Sequence, residues 1–138
     1  MRWLNRIYVY LLLMTALIIV DDSAEVRHML CKVFTCEADF DVCGEAVNGR
    51  EAIEKAQELQ PDLIVLGLSM PVMNGLDAAR ALKRFMPTIP IIMFSAYADT
   101  LTEKEAQYAG ISILLPKSET VSLLVTTARS LLHHDATY

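Results

Sequence analysis

The sequence predicts an α/β fold, a doubly wound three-layer sandwich with helices on both faces of a five-stranded parallel sheet. Short apolar runs alternate five times with segments of helical periodicity, which is the pattern of repeated strand–helix units. The apolar runs are nearly uninterrupted, as expected of strands that are buried on both faces. Right-handed crossovers leave few other topologies for such a chain. Its 138 residues are expected to form one domain.

The first unit begins with a buried strand at Leu17–Val20. Asp22 or Ser23 is expected to cap the helix that follows and ends near Phe34, because either side chain can accept a hydrogen bond from a free amide at the helix start. The residues predicted to face the core on this helix, at intervals of three and four, are Val26, Met29, Leu30 and Val33.

The other four units follow from the same alternation, and proline, glycine and asparagine mark their ends. Asn48-Gly49 is predicted to form a turn between the second strand and its helix. Strands are predicted at Phe40–Glu45, Leu63–Leu68, Ile89–Ser95 and Ile111–Leu115, and helices at Arg50–Leu59, Leu76–Phe85, Leu101–Ala109 and from a Ser118 cap to Leu132.

The beginning of the chain is unusually apolar. Ile7–Val20 is a run of 14 residues broken only by one threonine, which is shorter than the roughly 20 residues that span a bilayer. Arg2 and Arg6 imitate the start of a signal peptide, but no Ala-x-Ala-like cleavage site ends the run. We therefore expect residues 1–15 to be an accessory extension that pairs as an edge strand or packs on a partner, and residues 134–138 to be a short tail.

Composition excludes some function classes. The formal net charge of −5 argues against a nucleic-acid surface, which would be basic. Cys31, Cys36 and Cys43 are an odd set without Cys-x-x-Cys spacing, which favours a reduced cytoplasmic protein over a disulfide scaffold or a zinc site.

Polar residues follow four of the predicted strands. Asp21 and Asp22 follow the first strand, Gly67 lies near the end of the third, Ser95 ends the fourth, and Lys117 follows the fifth. Because the carboxyl ends of parallel strands meet at one edge, these positions are expected to converge. Two carboxylates suit a hard cation such as Mg²⁺, and a hydroxyl with a lysine suits a phosphoryl group. Each residue alone also fits an ordinary role as a helix cap, a surface lysine or a strand-end hydroxyl.

Four stretches together resemble the response-regulator receiver domain, the CheY-like family of two-component signalling. They are Ile18–Ser23, Pro61–Gly75, Met93–Ala96 and Pro116–Ser118. Any one of them would be a weak signal, whereas all four in this order are specific. The resemblance covers residues 16–133 and implies the (βα)5 architecture that receivers share with flavodoxin.

The resemblance implies a role for each polar residue. Asp22 would bind Mg²⁺ with the assistance of Asp21, and the backbone carbonyl of Ser69 would complete the metal site. The hydroxyl of Ser95 would move to meet the phosphoryl group, and Lys117 would pair with it.

The chain departs from the family pattern at its most important position. The resemblance places the phospho-acceptor aspartate at Gly67, which has no nucleophile, and the missing carboxylate is expected to weaken or abolish Mg²⁺ binding. Ser69 is a poor alternative acceptor because its side chain is expected to point to the opposite face of the strand end. Leu114 stands where receivers often carry a mobile aromatic, and Tyr97 and Tyr108 are the candidates for an output face on helix four, strand five and helix five.

Two functions stay open. The first is a degenerate receiver, a stand-alone interaction module and not an enzyme, which binds a histidine kinase or another signalling protein, or forms a homodimer through the output face or the N-terminal extension. The second is a receiver whose acceptor was removed by engineering or a recent substitution, and which would otherwise take phosphate from a histidine kinase with Mg²⁺. A flavodoxin is a third interpretation, but Asp21 and Asp22 would repel a phosphate after the first strand.

Overall fold

A computed structural model of the chain describes residues 14–96, 103–117 and 121–133. Residues 1–13 of the predicted extension, the predicted cap Ser118, Tyr97 and the tail at 134–138 lie outside the described residues. Within the described ranges, no helix has the length and apolar character that crossing a membrane requires.

Five strands alternate with five helices in the described part of the chain. They are β1 (Thr15–Val20), α1 (Ala24–Thr35), β2 (Phe40–Ala46), α2 (Gly49–Leu59), β3 (Leu63–Leu66), α3 (Gly75–Phe85), β4 (Ile91–Ser95), α4 (Glu103–Ala109), β5 (Ile113–Pro116) and α5 (Val121–His133).

The strands form one parallel sheet in the order β2-β1-β3-β4-β5, which confirms the predicted fold class. From β1 the chain crosses to β2 on one side, whereas from β3 it crosses to β4 on the other side. In an open sheet of this kind, ligands bind beyond the carboxyl ends of the strands at the point where the strand order reverses. Here that point lies between the ends of β1 and β3.

The core consists of two apolar clusters, one on each face of the sheet. Side chains alternate along β1, so Ile18 and Val20 pack in one cluster and Leu17 and Ile19 in the other. Residues of α2, α3 and α4 complete the first cluster, and those of α1 and α5 complete the second. Because each face is covered, burial of these strand residues contributes roughly 1.5–3 kcal/mol per large side chain and fixes the strand ends rigidly.

Three helices begin at capped positions near the carboxyl edge of the sheet. The side chains of Ser23, Asn48 and Asn74 each accept a hydrogen bond from the amide three residues further on. The prediction that Asn48-Gly49 is a turn is therefore wrong, since Asn48 is the cap of α2 and Gly49 its first residue. Ser23, rather than Asp22, caps α1.

Several predicted strand boundaries are wrong by one or two residues. At β3 the strand ends at Leu66 instead of Leu68, because the chain folds back and the amide of Gly75 donates to the carbonyl of Leu68. β4 begins two residues later than the predicted Ile89, since the amide of Ile89 donates to a turn and Pro90 has no amide hydrogen.

The last strand and the first helix also differ from the prediction. β5 begins at Ile113 instead of Ile111, because the amide of Ile111 donates to the carbonyl of Ala106 at the end of α4. On α1, Met29 is 38% exposed instead of inward, whereas Leu30 is buried. The inward face of α1 is therefore narrower than its periodicity suggests.

Candidate functional site

The ends of four adjacent strands bring the predicted polar residues together. Asp21 follows β1, Gly67 follows β3, Ser95 ends β4, and Lys117 follows β5. A cavity of about 210 Å³ lies at this edge. It is lined by Asp21, Asp22, Leu68, Ser69, Ser95, Ala96 and Lys117.

Asp21 is buried and held from several sides. Its side chain is 4% exposed, and its Oδ1 accepts a hydrogen bond from the amide of Ser23 at 2.9 Å. Its own amide donates to the carbonyl of Ala46 at the end of β2. Its carbonyl accepts a hydrogen bond from Nη1 of Arg27 at 2.9 Å. The neighbouring Asp22 is exposed.

Arg27 is a residue of the site that the sequence did not reveal. From α1 its guanidinium contacts the carbonyl of Asp21 and, at 3.3 Å, the carboxylate of Glu45 on β2. The Arg27 side chain is mostly buried. No local pattern marks such a residue, because its two partners come from different elements of the fold.

Lys117 forms an ion pair with Asp21. Its Nζ lies 2.9 Å from Oδ2 of Asp21, and its amide donates to the carbonyl of Ser95. The ammonium therefore contacts the first of the two acids, and β3 and β4 lie between the two strands that carry the pair. A buried carboxylate needs such a partner, because burial without one disfavours the charged form.

Gly67 lies directly in front of this ion pair. Its amide donates to the carbonyl of Val20, and its φ angle lies outside the left-handed region, so the backbone does not require glycine there. A Cβ at position 67 would lie 3.0 Å from Oδ2 of Asp21, which is tight. Gly75, by contrast, is required by packing, because a Cβ there would lie 2.0 Å from the carbonyl oxygen of Gly67.

The two serines occupy different environments. Ser95 is 3% exposed at the end of β4, whereas Ser69 is exposed in the loop after β3. The expectation that Ser69 faces away from the site is not supported, because it assumed that β3 continues to Leu68. Strand alternation stops at Leu66, and Ser69 lines the same cavity as Ser95.

Some of the predicted metal ligands are already engaged by other groups of the protein. Mg²⁺ prefers one or two carboxylates and retains several waters. Both carboxylate oxygens of Asp21 already accept, Oδ1 from the amide of Ser23 and Oδ2 from Lys117. That leaves the carboxylate of Asp22 and the carbonyl of Ser69. Over the described ranges, no three or more His, Cys, Asp or Glu side chains are grouped to hold a metal ion.

The predicted output face is partly described. Tyr108 is 80% exposed on α4, and Leu114 is half-buried on β5, where it packs against the core cluster of that face. A cavity of about 310 Å³ lies between α4 and β5 and has Leu114 in its wall. Tyr97 belongs to this prediction but lies outside the described residues.

Receivers of two-component signalling are defined by a doubly wound sheet with two acids, a hydroxyl and a lysine at its carboxyl edge. Residues 17–129 of this chain match the response regulator receiver domain. The chain belongs to this family. It is 42% identical over 100 residues to the chemotaxis protein CheY of Thermotoga maritima, a match that covers 72% of this chain and 82% of that protein.

Two further comparisons involve a methylesterase and a solved response regulator domain. The chain is 40% identical over 119 residues to protein-glutamate methylesterase/protein-glutamine glutaminase 4 of Hahella chejuensis, which covers 84% of this chain and 30% of the relative. It thus spans about a third of that enzyme's length. The crystal structure of the response regulator domain of Thermotoga maritima CheB superposes with a TM-score of 0.80 at 29% identity, and covers 87% of this chain and 97% of that one.

Proposed function

We propose that this receiver domain takes no phosphoryl group at position 67 and acts by binding other proteins. The observation that carries the proposal is Gly67, which follows β3 beside the acidic cavity and has no side chain. An aspartyl phosphate needs a carboxylate, and the nearest carboxylate, that of Asp21, is buried and paired with Lys117. The chain then works as a cytoplasmic interaction module and not as an enzyme.

The proposed partner is a histidine kinase or another signalling protein. The proposed contact face comprises α4, β5 and α5, where Tyr108 is exposed and a cavity adjoins Leu114. An exposed tyrosine is a favourable anchor for a protein contact. A homodimer through the same face, or through the N-terminal extension of residues 1–15, is the alternative proposal.

One observation favours a second function. Asp21, Asp22, Ser95 and Lys117 still line one cavity, so the site lacks its acceptor but retains the groups that the family places around it. A receiver that lost its acceptor through a single substitution would have this arrangement. Under this second proposal, an aspartate at position 67 restores phosphate uptake from a kinase with Mg²⁺.

Phosphorylation by acetyl phosphate with Mg²⁺, followed by intact mass, tests both proposals. The samples are the unmodified chain, Gly67→Asp, and Gly67→Asn as a control of the same size without the nucleophile. We expect the unmodified chain and Gly67→Asn to stay unmodified. A phosphoryl group on Gly67→Asp alone supports the second proposal, and its absence there rejects it.

A labile phosphoryl group on the unmodified chain would contradict the first proposal. In that case Ser69→Ala shows whether the exposed hydroxyl of Ser69 is the acceptor. Binding of a kinase that does not depend on acetyl phosphate, and that Tyr108→Ala weakens, is the expected behaviour of an interaction module. Loss of all binding on removal of phosphate donors would argue against it.

A further inference from the structure

We propose that Asp21, in the absence of an acceptor carboxylate, is the resident partner of Lys117, and that this ion pair closes the site to Mg²⁺. The inference rests on the proposed function, since it requires that position 67 contributes no carboxylate. It goes further than the proposed function, because it identifies the cation beside Asp21 as the ammonium of Lys117 rather than a metal ion. The ammonium of Lys117 does for Asp21 what a bound metal ion would otherwise do.

The ion pair lies in the space in front of Gly67. Oδ2 of Asp21 is 2.9 Å from Nζ of Lys117 and 3.0 Å from the point that a Cβ of residue 67 would occupy. A Cβ contact of that length is tight, so a side chain at position 67 requires the carboxylate of Asp21 to shift by a few tenths of an ångström. The ion pair and an acceptor side chain would therefore be crowded against each other.

The carboxylate of Asp21 is also held against reorientation. Its Oδ1 is fixed by the amide of Ser23, and the backbone of the same residue is fixed by Ala46 and Arg27. A cation that binds Oδ2 of this carboxylate competes with the ammonium of Lys117 for the same oxygen. Displacement leaves a lysine that is only 27% exposed beside the incoming cation, which like-charge repulsion opposes.

Asp22 does not compensate for this. It is exposed, and a single solvated carboxylate with one carbonyl binds Mg²⁺ weakly, because the ion gives up its hydration water reluctantly. Removal of the ammonium, rather than addition of an acid, is therefore the change expected to open the site. Deletion of this charged residue is thus expected to strengthen Mg²⁺ binding at the site rather than weaken it.

The test compares the Mg²⁺ dependence of the thermal unfolding midpoint in four chains. They are the unmodified chain, Lys117→Met, Lys117→Arg and, as a matched control, Lys104→Met on the exposed surface of α4. We expect Lys117→Met to gain roughly 3 °C or more on going from chelator to about 10 mM Mg²⁺, because a ligand of the folded state raises its midpoint. The other three chains are expected to stay unchanged, since each retains a cation at position 117.

A double variant locates the metal ligand. Asp21→Asn with Lys117→Met is expected to lose the Mg²⁺ response that Lys117→Met gains. Equal stabilisation of the unmodified chain and Lys117→Met by Mg²⁺ would overturn the inference, and so would a folded Lys117→Met that does not respond.

A second measurement keeps the inference testable if Lys117→Met does not fold. The amide resonances of Asp22, Gly67 and Lys117 in the unmodified chain are expected to stay fixed during a Mg²⁺ titration, and saturable shifts at these residues would overturn the ion pair as a barrier. Such shifts without phosphate uptake leave the proposed function intact. Phosphate uptake by the unmodified chain overturns the proposed function instead, so the two failures are distinct.

Discussion

An ion pair joins a late part of the chain to an early one at each edge of the sheet, and the two pairs differ in burial. At the carboxyl edge, Lys117 makes one contact of 2.9 Å with Asp21, whose side chain is 4% exposed. At the amino edge, Arg129 of α5 donates three hydrogen bonds of 2.8–2.9 Å to Asp39 and Glu37, and its guanidinium lies over the ring of Phe40. The side chains of Glu37 and Asp39 are 37% and 42% exposed.

The difference in burial indicates that the number of hydrogen bonds does not decide which of the two ion pairs contributes more to stability. Exposed pairs contribute little, because water solvates the separated charges almost as well as the partner does. Removing one member of a buried pair costs more, since the remaining charge keeps its burial and loses its partner. We therefore expect the single contact of Lys117 to matter more for stability than the three of Arg129.

The largest expected effect comes from breaking the buried pair. Lys117→Met should lower the free energy of unfolding by about 2–3 kcal/mol, because it leaves the carboxylate of Asp21 buried without a cation. Asp21→Asn should cost less, since the ammonium of Lys117 is 27% exposed and reaches water. Urea unfolding in the presence of a chelator measures both. Equal losses of unfolding free energy in the two variants would show that the difference in burial between Asp21 and Lys117 does not set the cost of breaking the pair.

Sequence patterns predicted the convergence of the site but not its internal pairing. Apolar alternation and the strand ends were sufficient to bring Asp21, Gly67, Ser95 and Lys117 to one edge. The choice of Asp21 over Asp22 as the partner of Lys117 depends on which side chain turns inward after β1, and no local periodicity encodes that. Short strands were also misplaced by up to two residues, because pairing with a neighbour, rather than hydrophobicity, sets their ends.

The Arg129 cluster was missed for a similar reason. Arg129 and its partner Asp39 are 90 residues apart in the chain. On α5 an arginine on a partly exposed face is expected to be solvated, and nothing in its neighbours distinguishes it. Contacts between distant elements can therefore be identified only once the fold is known, whereas residues at strand ends can be predicted from the sequence.

Backbone strain offers a second way to compare the two edges. Among the described residues, each edge has one non-glycine residue with positive φ, Val72 at 69° in the loop after β3 and Gln60 at 49° at the end of α2. Val72 is β-branched, 75% exposed and central in a tight turn in which the amide of Met73 donates to the carbonyl of Pro71 at 2.7 Å.

Val72→Gly should raise the free energy of unfolding by about 1 kcal/mol, since strain of roughly 1–3 kcal/mol is relieved and part of the gain is lost to backbone entropy. Gln60→Gly should raise it by less, because an unbranched residue tolerates the left-handed conformation at a helix end better than valine does. Thermal or urea unfolding measures both. A destabilised Val72→Gly would indicate that the exposed side chain makes contacts that outweigh the strain.

A smaller effect is expected from breaking the exposed cluster. Arg129→Met should cost clearly less stability than Lys117→Met does, because both partner carboxylates become hydrated. Arg129→Lys is the matched control, since it retains the charge and loses the two-pronged geometry. The cost of Arg129→Met should fall further as salt is raised, because exposed charges are screened. If Arg129→Met lowered the free energy of unfolding by more than Lys117→Met does, and did so at every salt concentration, the ranking of the two ion pairs would be reversed.

The smallest expected effect is the pH dependence of the same cluster. Hydrogen bonds from the Arg129 guanidinium hold the pKa of Asp39 below its usual range. A carboxyl group whose pKa is lower in the folded than in the unfolded chain contributes stability above its unfolded pKa of about 3.9 and loses that contribution as the pH falls through the folded value. The stability difference between the unmodified chain and Arg129→Met should therefore be constant near neutral pH and shrink below about pH 4. Urea unfolding over a series of acidic buffers measures it. A difference that persists undiminished after Asp39 is protonated would mean that Arg129 stabilises the fold chiefly through its contact with Phe40, and not through its charge.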